Sequence, residues 1–161
     1  MARGEYIAYI DADCMLSPEW FSTAEKYPSY PNVLLLNGPV FYHDGSPWLG
    51  KLTWIVQWTM LPISHLLMSF LIGGNFIVRR SALISVNGFD CNIAFYGDDA
   101  NLAKRLKGRG RLLFKMDFWV YTSARRIMHE GIIKTYFRYA LNTSWQSFFH
   151  RSFTKQYIDV R

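Results

Sequence analysis

An apolar strand that stops on two carboxylates constrains this chain more than any other feature. The run Glu5 to Asp11 (EYIAYID) is rich in β-branched and aromatic residues and reads as a strand. It ends in Asp11-Ala12-Asp13. Downstream, Ser17-Pro18-Glu19-Trp20 has the marks of a helix start, with serine as N-cap and proline at the first helical position. Strand, acidic loop and helix in that order place both carboxylates at the carboxyl end of a strand, where open α/β sheets bind ligands. In extended backbone, residues i and i+2 face the same way. Asp11 and Asp13 can then reach one divalent cation, whose shell substrate phosphates complete. The same tripeptide also suits a plain polar strand end in which Asp13 forms an Asx-turn.

The length of 161 residues suits one domain, and a hydrophobic content of 50% excludes a disordered chain. The net charge of +6 is concentrated in Lys104 to Lys115 and Arg125 to Arg161. That balance fits anionic partners such as nucleotide phosphates or phospholipid head groups. A nucleic-acid partner is not expected, because charge alone supports it and no recognised module is present. Cys14 and Cys91 match no metal or redox spacing, which points to a reducing, cytoplasmic compartment. The charged amino terminus runs straight into a strand, so no signal peptide is read.

From Leu52 to Val78 there is no Asp, Glu, Lys or Arg, and Lys51 and Arg79-Arg80 flank the stretch. It is long enough to span a membrane. Gln57, Pro62, Ser64, His65, Gly73, Gly74 and Asn75 interrupt it, so it reads as a buried or interfacial helix over Leu49 to Phe70, then a core strand over Asn75 to Arg79. Val33 to Phe41 reads as a strand in which Gly38-Pro39 marks a bend or an edge. A turn-rich loop, Tyr42 to Pro47, carries His43, Asp44 and Gly45. Ser81 to Val86 is a short helix stopped by Asn87-Gly88. Asp98 to Gly108 is an amphipathic helix with Leu102, Ala103 and Leu106 as its apolar stripe, acids first and bases last. Arg111 to Lys115 and Phe118 to Tyr121 are short strands. From Arg125 a second unit, 125–161, reads as a basic amphipathic helical tail on the main unit, 1–124. Its stripe is Ile132, Ile133, Tyr136, Phe137, Ala140 and Leu141, with Glu130, Lys134 and Arg138 on the opposite face.

Four stretches together resemble the family 2 glycosyltransferases, which have the GT-A fold. Ala2 to Asp13 resembles the family's "ARGEYIAFLDAD" segment, which ends in a DxD motif. Leu71 to Arg80 (LIGGNFIVRR) resembles the strand that walls the acceptor side. Val86-Asn87-Gly88-Phe89-Asp90 stands where "GGFD" is common, and Tyr96 to Leu106 resembles "GEDxDLxxRL". The resemblance covers roughly residues 2–126, and its motifs run in the family's order. It implies an α/β fold, a GT-A-like mixed sheet flanked by helices. It further implies an enzyme that moves a sugar from a nucleotide-diphosphate donor to a sugar or lipid-linked acceptor with Mn2+ or Mg2+, and inversion at the sugar.

By that resemblance Asp13 is the direct metal ligand, and Asp11 faces the ribose or a metal-bound water. Gly73, Gly74 and Asn75 contact substrate. Asp99 is the general base, and Asp98, in place of the usual Glu, keeps a carboxylate on the substrate side with a shorter reach and caps the helix. Arg125-Arg126, after Thr122-Ser123-Ala124, looks like the "S-x-RR" segment that approaches the diphosphate, and arginine suits that by its bidentate geometry. Simpler roles stand beside these: an acid that only caps a helix, an exposed basic helix start, a structural His129 or His43, and Trp48, Trp54 and Trp58 as core rather than acceptor wall. Family members begin with a "PxYNE"-like strand and a strand that holds the base. Neither is present, so the fold is expected to be incomplete at its N-terminal side, the Asp11 strand to lose neighbours, and donor binding to be weak. No "QxxRW" is found, against a processive synthase. The competing class is a non-catalytic module that contacts a membrane surface peripherally through its basic tail.

Overall fold

The computed structural model describes residues 2–68, 71–93, 97–149 and 154. Phe70, Tyr96 and the tail beyond 149, apart from residue 154, lie outside the described residues. Seven strands are β1 (Tyr6–Ile10), β2 (Met15–Leu16), β3 (Val33–Asn37), β4 (Val40–Tyr42), β5 (Asn75–Arg79), β6 (Arg111–Phe114) and β7 (Val120–Thr122). Six α-helices are α1 (Trp20–Lys26), α2 (Pro47–Met68), α3 (Arg80–Ser85), α4 (Asp98–Lys107), α5 (Arg125–Glu130) and α6 (Ile132–Phe149).

The strands form two mixed sheets, in the orders β1-β5-β3-β6 and β2-β7-β4. β5 pairs antiparallel with both β1 and β3, while β3 and β6 run parallel. The run expected as one strand over Val33 to Phe41 is therefore two strands in two sheets. Gly38-Pro39 is the break rather than a bend, because proline cannot donate to a ladder. β5 alternates as a central strand should: Phe76 and Val78 face one core, Ile77 the other. The first core joins them to Leu102, Ala103 and Leu106 of α4, all three fully buried. The second packs Ile77 against Trp20, Tyr27, Leu36, Phe118 and Val120. A register shift between Val33 and Leu35 turns Val33 and Leu36 to the second core and Leu35 to the first.

Three local expectations change. α1 starts at Trp20 with Glu19 at the cap position and no side-chain cap, and Ser17 is instead buried one turn earlier. α4 is preceded by Gly97 in left-handed backbone, so the Asp98 side chain is not its cap. The tail helix is broken at Gly131 into α5 and α6, and its faces are not the expected ones. Glu130 and Arg138 make a buried ion pair at 2.8 Å, while Ile133 and Phe137 are 83% and 68% exposed.

The α2 helix runs close to the expected bounds, but its inner face is polar. Leu49, Thr53 and Gln57 are buried, while Trp48, Trp54, Ile55 and Trp58 are exposed. Gln57 replaces a missing strand. Its Oε1 accepts from the Val40 amide at 2.9 Å, and its Nε2 donates to the Val40 carbonyl, closing the open edge of β4. No described helix is long and apolar enough to cross a membrane.

One buried amide holds the two sheets together. Asn75 Oδ1 accepts from the Trp20 indole at 3.0 Å, and Nδ2 donates to the carbonyls of Pro39 (3.2 Å) and Phe118 (2.7 Å). The Phe118 carbonyl can come so close to the β3–β4 corner because residue 38 is glycine. A Cβ there would lie 2.6 Å from the carbonyl carbon. Gly38→Ala is therefore expected to push Phe118 out and break the Asn75 bracket, costing on the order of 2–4 kcal/mol in urea denaturation. A loss within about 0.5 kcal/mol, the usual surface range, would contradict this packing.

Candidate active site

The loop after β1 is a turn, not extended chain: the Cys14 amide donates to the Asp11 carbonyl at 3.0 Å. This corrects the expectation that residues i and i+2 face alike here. Asp11 lies against β5, while Asp13 reaches the end of β7. Asp13 Oδ1 accepts from the Thr122 hydroxyl at 3.2 Å, and Oδ2 pairs with Arg125 at 3.4 Å, with both side chains partly exposed. No Asx-turn is needed, since the backbone closes the turn itself.

Gly73 and Gly74 precede β5 and meet one carboxylate each. The Gly73 amide donates to Asp99 Oδ2 at 3.1 Å. A Cβ on Gly74, where φ is +82°, would overlap the Asp11 carboxylate, 2.6 Å from its Cγ. Only glycine allows this approach at this backbone angle. The neighbouring Asn75 does not share it. Its side chain is fully buried, with every donor and acceptor used on protein atoms. The expected substrate contact by Asn75 is thus replaced by a bracing role that fixes where Gly73-Gly74 sit.

Asp99 lies in the first turn of α4, where its Oδ1 accepts from the Ala100 amide at 2.7 Å. Desolvation raises its pKa to about 6, the Asp98 charge adds to the rise, and the amides of Ala100 and Gly73 oppose it. Asp11 is raised by desolvation and by the charges of Asp13 and Asp98, and lowered by Arg126. The loop after β1 and the first turn of α4 therefore bring their acids together through Asp11 and Asp98, and Arg125 and Arg126 are counter-charges to Asp13 and Asp11. His129 is exposed on α5. Trp54 and Trp58, rings 5.5 Å apart, are half-exposed rather than core. With Phe41, Tyr42, Trp119 and Tyr121 they line a cavity of about 370 Å³.

Sequence reasoning missed Thr122 and underrated Asp44, whose carboxylate accepts from Ser123 Oγ at 2.7 Å and from the Ala124 amide. Their partners are 109 and 79 residues away, so no local pattern marks them.

Asp99 is an acid whose folded pKa lies above its unfolded one. The fold holds its proton more tightly, so its stabilising share is complete below about pH 4 and is lost as pH rises through about 6. Asp99→Asn should thus gain on the parent from about pH 4 to about pH 8. The gain should be on the order of 1–2 kcal/mol once solvent screening is allowed for. Urea denaturation at the two pH values measures it, and a gap that stays constant would mean the acid is unstrained.

Comparison with known proteins follows the same lines. No curated protein matches the chain. The family model for glycosyl transferase family group 2 matches residues 6–156, which includes every residue of the site above and continues through α5 and α6. With 151 of 161 residues inside that match (156 − 6 + 1), the chain belongs to glycosyl transferase family group 2.

Proposed function

We propose that this glycosyltransferase moves a sugar from a nucleotide-diphosphate donor to an acceptor hydroxyl with inversion, using Mg2+ or Mn2+. The observation that carries the reading is Asp99: a carboxylate pinned by the Gly73 amide, with a pKa of about 6, beside a second cluster of acids and arginines. A base with that pKa is ionised at neutral pH yet close enough to it to take a proton. Asp99 takes the proton of the acceptor hydroxyl as its oxygen bonds the anomeric carbon and the bond to the diphosphate breaks. The glycine pair lets the Asp99 and Asp11 carboxylates come up against the backbone before β5, which holds both acids at one side of the site.

The Asp11–Asp13 end fits a hard divalent cation. It offers two carboxylates, and among the described residues no group of three or more His, Cys, Asp or Glu converges as a complete cage. Such a pair suits a cation that keeps water and takes its remaining ligands from phosphate. Asp13, the more accessible to β7, would hold it directly, with Asp11 facing the ribose or a bound water. When bound, the cation supplies neutralisation of the departing diphosphate. Arg125 exchanges Asp13 for phosphate oxygens, and Arg126 adds a second charge.

The exposed apolar faces of α2 and α6 favour a second reading that can accompany the first. Trp48, Ile55, Ile133 and Phe137 point outward, and a cavity of about 270 Å³ lies between Leu52, Val56, Ile132 and Tyr136. Such a face suits peripheral contact with the cytoplasmic side of a membrane that presents a lipid-linked acceptor.

Asp99→Asn is expected to lower kcat by at least about 100-fold. Calorimetric binding of uridine or guanosine diphosphate with Mn2+ should be unchanged. The parent's kcat/KM should rise with pH through about 6, because the ionised acid is the active form, and that limb should vanish in the variant. Turnover that survives the substitution would remove Asp99 as the base. If the membrane reading holds, the same variant keeps its binding to anionic liposomes while Ile133→Ser/Phe137→Ser loses it; equal binding by both would refute that reading.

A further inference from the structure

We infer that Asp44 is a positioning residue: it anchors the start of α5 so that Arg125 and Arg126 face the Asp11–Asp13 carboxylates. The inference rests on the diphosphate reading above and adds a residue to it.

Asp44 sits in the loop that follows β4, and the loop is itself tied to β7, since the His43 amide donates to the Thr122 carbonyl at 3.1 Å. The Asp44 carboxylate then takes both groups that open α5. One oxygen accepts from the Ala124 amide and the other from the Ser123 hydroxyl at 2.7 Å. Ser123 Oγ in turn accepts from the Arg125 amide at 3.2 Å. Three consecutive residues are thus fixed by one carboxylate. Burial acts to raise the Asp44 pKa, but the Ala124 amide, Ser123 and the His43 charge outweigh it and hold the group ionised. The other side of the loop is fixed by packing, with Leu49, Ala124 and Ile127 buried together.

What this anchoring delivers lies one residue further on. Arg125 reaches Asp13 at 3.4 Å, and the Arg126 charge reaches Asp11. α5 has only six residues, its cap residue is Ala124, and Ser123 Oγ, which meets the Arg125 amide, is itself held by Asp44. Its direction at Arg125 therefore depends on the Asp44 contacts. The Asp44 carboxylate spends its bonds on Ser123 and Ala124, so it acts on the anion through the helix start.

Asp44→Ala should raise amide hydrogen exchange at Ala124, Arg125 and Arg126. It should also weaken calorimetric binding of uridine or guanosine diphosphate with Mn2+ by about ten-fold, the scale of one lost charge-assisted contact. Asp44→Asn, which keeps an acceptor for the Ala124 amide, should recover most of that binding. In an Arg125→Ala/Arg126→Ala background, Asp44→Ala should add nothing, because the groups it positions are gone. Parent-like binding by Asp44→Ala, or a full ten-fold loss in the arginine-free background, would overturn the positioning role. Unchanged exchange would overturn the anchoring. Failure of the parent to bind either nucleotide, or an arginine-free variant that binds like the parent, would overturn the diphosphate reading and this inference together. An arginine-dependent affinity indifferent to Asp44 would overturn this inference alone.

Discussion

The Asn75 amide is the interaction on which the rest of the site depends. It is fully buried and spends its carbonyl on Trp20 and both its hydrogens on Pro39 and Phe118. These partners come from α1, the β3–β4 corner and the segment before β7. A buried amide left with any of those bonds unmade would cost on the order of 1–3 kcal/mol per group, so the arrangement is all or none. Because Asn75 opens β5, fixing it also fixes the two glycines before it. Gly73 and Gly74 then lie where one amide meets Asp99 and one bare Cα meets Asp11. A core residue thus sets the spacing of two surface acids that lie on different elements.

Electrostatics completes what packing begins. Burial raises the pKa values of Asp11 and Asp99, and the charges of neighbouring acids add to both rises, Asp13 and Asp98 at Asp11 and Asp98 at Asp99. The two acids have different partners. Asp99 is met by backbone amides, which fix its direction without neutralising it. Asp11 and Asp13 are met by guanidinium groups, which can be exchanged for a cation and a polyanion. The same cluster thereby divides into a carboxylate held by amides and carboxylates faced by guanidinium groups, the division on which the proposed mechanism rests.

Much of this was legible in the residues themselves. The strand at Tyr6, the core strand at Asn75 and the stripe Leu102, Ala103 and Leu106 follow from period and composition, and the structure has all of them. The motifs at Asp11, Gly73 and Asp98 are drawn together as their order implied. What failed was whatever long-range partners decide. Ser17 looks like a cap, yet Ser17 is buried and α1 begins later at Trp20, whose indole is held by Asn75. Asn75 looks like a ligand contact because it sits beside the glycines, but side-chain alternation turns it inward. Asp44 and Thr122 carry no local mark, because their partners are 79 and 109 residues distant.

The helix pair α2 and α6 inverts the ordinary rule most clearly. Thr53 and Gln57 face inward, where Gln57 finishes the β4 edge and Thr53 returns its hydroxyl to the Leu49 carbonyl at 2.9 Å. Trp48, Trp54, Ile55 and Trp58 face out, joined by Ile133 and Phe137 of α6. Scattered exposed apolar residues need no cause, but six of them, four being aromatic, on two helices that share one cavity form a patch. Beyond the buried Leu49 and the half-buried Leu52 and Val56, the large side chains of the described part of α2 lie on its outer face. The polar seam that completes the small sheet and the exposed apolar face are thus two sides of one helix.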